Sequence, residues 1–312
     1  MLRCARVESA RSGGGCADYC AATLNRFGPD SSGCCGLYLL VQVRAGVVML
    51  QGLLAGSMLL ATVATPSSGD SVPERVVDLD HGCKLAMDAK LGPDEALTRD
   101  VEREVRQAIS KVQGLIAAND LTIHIKLSDK STERFIVPKL GVGGHPVGTD
   151  TVWIYIQPEN PNFKTASVGR GLPHEIHHAI RLRTPNWHWS LLESFVMEGL
   201  ADHFVVEVAG GEPGAWAHAL TDEEIQRNLI RMKPLLRAKI ESYPEFVEKY
   251  ETPWLFGRSG DDPIPRFTGY TLGWRIVENY LRAHPDARAS SLIQTSSEVI
   301  AGATPEILDL TR

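Results

Sequence analysis

The chain has 312 residues, of which 43% are hydrophobic and 22% charged, ordinary proportions for a globular protein able to bury a sizeable core. A formal net charge of −6, with no basic stripe interleaved with aromatics, argues against a nucleic-acid partner. Five of the six cysteines lie in the first 40 residues, so Cys83 alone remains beyond them and an internal disulfide framework is excluded there.

Residues 1–44 are rich in Gly, Ser and Arg, show little periodicity, and read as a disordered or mis-annotated extension, with translation starting near Val43 or Met49. A zinc site at Cys16, Cys20, Cys34 and Cys35 is the other reading, but a compact finger would also need a small hydrophobic core. Residues 45–64 form an uncharged stretch behind Arg44 that ends in small residues, with Thr62-Val63-Ala64 as a signal-peptidase site. The same stretch is long enough to span a bilayer, so a cleaved export signal and an uncleaved membrane anchor both stand. Either way the protein is expected outside the cytoplasm, periplasmic or extracellular, or anchored, with membrane contact only through residues 45–64. Residues 65–74, opening with Thr65-Pro66-Ser67-Ser68-Gly69, read as a linker, and residues 75–312 as one domain of α+β organisation.

Within that domain, Val101, Val105, Ile109, Val112 and Ile116 recur at helical spacing and predict an amphipathic helix over Pro93–Asn119. Leu121, Ile123, Ile125 and Leu127 alternate with polar residues, the pattern of a half-buried strand, and Thr151–Ile156 reads as a second. Gly141 to Gly148 reads as a flexible loop that could border a cleft, or as glycines serving a tight turn. It lacks a lysine and opens no helix, so no P-loop or dinucleotide site is indicated.

The most informative segment is His174-Glu175-Ile176-His177-His178. A helix advances about 100° per residue, so His174 and His178 share a face one turn apart and can grip one metal ion, with Glu175 on the flank as a base. Leu172, Ile176, Ala179 and Ile180 fall on the opposite, core-facing side. Pro173 is expected in the first helical turn, where its missing N–H costs no bond, and Thr184-Pro185-Asn186 ends the helix. His177 also falls on the cleft side and is a possible alternative ligand, but His178 keeps Glu175 between the ligands. Arg181, on the ligand face one turn on, could pair with a carboxylate or be solvated, and the solvated side chain is the expectation.

A second helix is predicted over Trp189–Ala209, with Leu191, Phe195, Ala201, Val205 and Ala209 along a stripe that also carries Glu198 and Asp202. Two carboxylates on a buried face cost several kcal/mol unless a cation or hydrogen-bond donors compensate them. Glu198 therefore reads as the third metal ligand, and Asp202 as the group that accepts the free ring N–H of His174. A fourth position is left for water, as catalytic zinc requires. Beyond a Gly210–Gly214 loop, a mostly polar helix is expected from about Asp222 to Ile240. Another runs from Tyr270 to about His284, with Leu272, Ile276, Val277, Tyr280 and Leu281 as its core face. This largely helical half forms the other wall of the cleft.

The step from His178 to Glu198, with Asp202 four residues on, resembles the gluzincin arrangement of thermolysin-like peptidases. The chain is also similar to a bacterial family of predicted zinc-dependent proteases long catalogued as a domain of unknown function. The resemblance rests on Gly141-Val142-Gly143-Gly144, His174 to His178, Glu198-Gly199-Leu200-Ala201, Trp216-Ala217-His218-Ala219-Leu220 and Gly269-Tyr270-Thr271-Leu272-Gly273, and spans about residues 120 to 305. It implies a zincin-like fold, Zn²⁺ as cofactor and a peptide or protein substrate. Tyr270, by its place in the family pattern, becomes a candidate oxyanion donor; a structural tyrosine is the other reading. In such folds a strand beside the metal can pair with an extended substrate, and Thr151–Ile156 is the candidate here; an ordinary internal strand is the other reading. The expected reaction is peptide hydrolysis by a metal-activated water with Glu175 as general base. The alternatives are a non-catalytic, metal-containing peptide-binding or envelope-interaction module, and a hydrolase of non-peptide amides.

Overall fold

Alternating apolar residues build a five-stranded sheet, and three amphipathic or fully buried helices set the functional residues against it. The computed structural model describes residues 75–185, 188–238 and 243–304, which belong to the compact unit Leu37–Arg312. The predicted extension, export stretch and linker, residues 1–74, lie outside the described residues. Among the described residues no helix is long and apolar enough to cross a membrane.

The strands are β1 (Arg75–Asp78), β2 (Lys84–Met87), β3 (Thr122–Leu127), β4 (Val142–Val147) and β5 (Thr151–Ile156), in the order β1-β2-β3-β5-β4. β2, β3 and β5 run parallel, and β1 and β4 close the two edges antiparallel. Leu85, Met87, Ile123, Ile125, Val152, Ile154 and Ile156 line one face of the sheet and are buried. Helix α1 (Glu95–Gln113), capped by the Asp94 carboxylate accepting from the Leu97 N–H, packs beside α2 (Thr165–Arg181) over that face. Val101, Val105, Ile109 and Val112 of α1 are at most 2% exposed, and burying each is worth about 1.5–3 kcal/mol. The helix ends at Gly114, short of the expected Asn119, although Ile116 still reaches the core.

Gly141–Gly148 is not a loop throughout: its centre is edge strand β4, and only Gly141 and Gly148 keep the positive φ of turn positions. Glycine and proline depress strand propensity, but both suit an edge. Gly143 passes so close to the Phe135 backbone that a Cβ there would collide with it. Pro146 can sit only where no ladder N–H is needed. β5, the expected substrate-pairing strand, is interior, flanked by β3 and β4.

Helix α2 begins two turns before Pro173, which therefore sits in the helix interior and removes the bond to the Gly169 carbonyl. Gly169, without a side chain, packs against Glu104 of α1. Helix α3 (Leu191–Ala209), capped by Ser190, is buried on all sides from Leu191 to Asp202. It lies between α2 and α5 (Thr268–Ala283), the latter preceded by α4 (Asp222–Met232). Of its expected stripe, Val205 is only half-buried and Ala209 is exposed, because the helix outruns its neighbours at that end. α4 stops at Met232 rather than near Ile240, since Pro234 supplies no N–H and a 3₁₀ turn takes over at Lys233–Leu235.

Candidate metal centre

The i, i+4 spacing on α2 does what helix geometry requires. His174 and His178 project together from one face, their Nε2 atoms 2.9 Å apart, and α3 brings Glu198 up to them. Glu198 Oε2 stands 3.1 Å from His174 Nε2 and 3.4 Å from His178 Nε2. These are the three side chains among the described residues that could hold one metal ion. Ligand atoms about 2.0–2.1 Å from a tetrahedral zinc lie about 3.3 Å from one another, close to the spacing of this triangle.

The donor chemistry also fits a cation. Asp202 Oδ1 lies 3.1 Å from His174 Nδ1, which keeps the ring proton on Nδ1 and turns the Nε2 lone pair toward Glu198 and His178. Two ring nitrogens and a carboxylate oxygen that crowd together in this way repel unless a positive charge lies among them. Burial works against a charged His174, but the hydrogen bonds it donates to Asp202 and Glu198 outweigh burial and raise its pKa well above the usual value. Burial likewise opposes ionisation of Glu198, yet His178 and His174 hold its carboxyl down to about 2.

Glu175 flanks the triangle and is half-buried beside edge strand β4. A Cβ at Gly144 of β4 would fall 3.0 Å from Glu175 Cγ and closer still to the Trp153 carbonyl, so the bare backbone of Gly144 makes room for the Glu175 side chain. Burial pushes the Glu175 carboxyl up, the His174 and His178 rings pull it down, and Glu198 and Asp202 raise it again, leaving it above the usual carboxylate range.

The surrounding shell holds contacts that the sequence pattern does not specify. The Trp216 indole N–H donates to Asp202 Oδ2 at 2.7 Å. Tyr270, in the first turn of α5, meets the Trp216 ring edge-on with centroids 6.4 Å apart and also packs against Phe256 and Phe267. Arg181 is not solvated. It is 2% exposed, forms a two-pronged pair with Glu193 of α3 at 2.7 and 3.1 Å, and donates to the carbonyls of Ile293 and Thr295. His177 faces the core rather than the cleft: it is fully buried against Phe204, with neither ring nitrogen fully hydrogen-bonded. Burial therefore drives its pKa well below the ordinary value, with the Ala289 backbone countering only weakly. His203 stacks on Trp274 at 3.6 Å, and His188 is exposed.

The glycines of the two later sequence motifs act in packing. A Cβ at Gly199 would collide with the Gly273 carbonyl, and one at Gly273 with the Phe195 carbonyl. Their absence lets α3 and α5 cross with backbones in contact and so fixes the depth at which Glu198 enters the site.

Comparison with known proteins agrees with this arrangement at the level of family. Residues 101–301 match the model of a family described as a predicted Zn-dependent protease (DUF2268). The uncharacterized protein YjaZ of Bacillus subtilis (strain 168) is 30% identical over 132 residues, which cover 40% of this chain and 47% of that protein. The match thus spans about half of the curated relative. A crystal structure of an aminopeptidase N family protein from Idiomarina loihiensis aligns with 10% identity and a TM-score of 0.34, covering 74% of this chain and 41% of that one. With about two thirds of its length matched by the family model, the chain belongs to this family of predicted Zn-dependent proteases.

Proposed function

We propose that the protein is a zinc-dependent peptidase in which His174, His178 and Glu198 hold the metal and Glu175 is the general base. The observation that carries this reading is the convergence of His174 Nε2, His178 Nε2 and Glu198 Oε2 within 3.4 Å of one another beside a partly open carboxylate. Zinc held there would lower the pKa of a bound water to about 7 and polarise the scissile carbonyl. Glu175, with a carboxyl above the usual carboxylate range, accepts the proton of the attacking water and delivers it to the leaving amine nitrogen. Asp202 keeps His174 in the Nδ1–H tautomer throughout. Tyr270, whose ring packs edge-on against Trp216, is the proposed oxyanion donor.

An extended peptide would lie along β4 rather than β5. The Val137 N–H donates to the Val142 carbonyl at 3.0 Å and the Gln157 N–H to the Gly141 carbonyl at 2.9 Å, so alternation places the backbone groups of Val142, Gly144 and Pro146 on the outer row. Among the described residues that outer row has a backbone partner only at Val142, and the segment beside Gly144 can accept a substrate strand next to Glu175. Residues 45–64 are proposed to export or anchor the enzyme outside the cytoplasm, where peptide or protein substrates meet it.

The test is cleavage of a diverse peptide mixture by the purified zinc-loaded protein, read by mass spectrometry against Glu175→Gln prepared identically. The expected result is a set of cuts made by the unaltered protein and lost by at least about 10²-fold in the variant, the scale of general-base catalysis. Equal cleavage by both would overturn the assignment of Glu175, and no cleavage with zinc bound would favour a binding module.

A further inference from the structure

Asp202 is 3% exposed and carries a demand that a single partner does not meet. One of its oxygens faces His174 Nδ1 at 3.1 Å. The torsion about a carboxylate is broad, so this contact alone leaves the plane of the group free to swing and the imidazole free to turn with it. The other oxygen is fixed by the Trp216 indole N–H at 2.7 Å. Indole offers one donor on a rigid ring and no acceptor, so the carboxylate is clamped between two N–H groups of fixed direction.

Trp216 is itself braced. Its carbonyl accepts from Thr271 Oγ1 of α5 at 2.8 Å, Tyr270 packs edge-on against its ring, and Gly214 lies directly beneath the indole, where a Cβ would collide with the ring. A half-buried tryptophan serving only to fill space would need neither the aligned N–H nor the glycine under it. We infer that Trp216 is a positioning residue for the metal centre, acting through Asp202 to hold His174 in ligating orientation. This rests on the reading of His174, His178 and Glu198 as metal ligands, and it adds that the orientation of His174 is set from α5 and the Gly214–Trp216 turn as well as from α3.

The test is zinc affinity, measured by competition with a chromophoric chelator, for the unaltered protein, Trp216→Phe, Asp202→Ala and the double variant. Phenylalanine keeps most of the ring and removes the N–H. Trp216→Phe is expected to weaken zinc binding about 10–100-fold, the usual cost of losing such a supporting contact, with the melting temperature of the metal-free protein near that of the unaltered chain. In the Asp202→Ala background the same substitution should cost nothing further, because its effect passes through Asp202. Unchanged affinity in Trp216→Phe, or an equal loss in both backgrounds, would overturn the inference. Should the variant not fold, the indole N–H resonance of Trp216 in the unaltered protein decides: a shift on zinc binding supports the relay, and indifference to zinc overturns it. The affinity readout does not depend on hydrolysis, so failure to cleave peptides and failure of this relay are separate results. An unaltered protein that binds no zinc would remove both.

Discussion

At the scale of single residues, the candidate metal ligands follow from spacing, whereas the residues around them follow from tertiary contacts. His174, Glu175 and His178 are legible because helical periodicity alone aims them, and Glu198 and Asp202 because carboxylates on a buried stripe need a partner. Gly144, Arg181 and His177 are not legible in this way. What Gly144 leaves out matters only because Glu175 lies against it, and the sides taken by Arg181 and His177 are set by α3, which no local pattern encodes. Glu251 belongs to the same class. It is buried behind α3 at the end of a π-helical turn, accepts from Ser194 Oγ at 2.9 Å, and has its carboxyl pushed up to about 7 by burial, against the Ser194 bond and with the help of the Glu198 charge. A folded-state pKa above the unfolded value of 4.5 means that its proton stabilises the fold fully below about pH 4.5. That contribution is lost as pH rises through about 7 and amounts to about 3 kcal/mol at about 1.36 kcal/mol per unit. Glu251→Gln keeps the shape and stays neutral, so its stability relative to the unaltered protein, measured by urea unfolding of the metal-free forms, should rise by up to that amount between pH 4.5 and 8. A difference that stays flat across this range would show that Glu251 does not titrate there.

At the scale of elements, the geometry of the site is the crossing of α2, α3 and α5. Gly199 and Gly273 set the α3–α5 approach by what they lack, and Arg181 sets the α2–α3 approach by what it joins. The last turn of α2 is tied through Arg181 to Glu193 in the first turn of α3 and to the carbonyls of Ile293 and Thr295, so the helix carrying the histidines and the helix carrying Glu198 share a fixed joint. A buried pair of this kind adds little over an apolar substitute, but losing one partner strands a charge. Arg181→Met should therefore destabilise by about 3–5 kcal/mol in urea unfolding, and adding Glu193→Leu should restore most of it. If the single and double variants are equally destabilised, packing rather than charge holds the joint. The five longer helices, α1 to α5, were readable in sequence because each shows a 3.6-residue period or an uninterrupted apolar run. Strands β1, β2 and β4 were not, because β1 and β2 are only four residues long, β1 mostly exposed, and β4 is built from Gly143, Gly144, His145 and Pro146, residues whose fitness for an edge lies in what they do not pair with.

At the scale of the molecule, the buried side chains fall into two clusters. One joins the sheet, α1 and α2 with Phe204 from the far half of α3, and the other joins the first half of α3, α4, α5 and the short helices around Phe246 and Trp254. His174 and His178 project from an element of the first cluster, and Glu198 from an element of the second. A metal at this triangle therefore cross-links the two halves of the core, in addition to whatever chemistry it performs. Because the unfolded chain does not hold the three ligands together, zinc should stabilise the native state by RT ln(1 + [Zn]/Kd), about 2.7 kcal/mol at a hundredfold excess over Kd. The measurement is thermal unfolding with and without zinc, together with amide hydrogen exchange of α2 and α3. The expected outcome is a rise in Tm and added protection in both helices at once. Glu198→Ala should keep two histidine ligands but lose the link, so any zinc-dependent protection should shrink to α2 alone. If zinc instead protects α2 without α3 in the unaltered protein, Glu198 does not bridge the clusters and the ion is held from one side only.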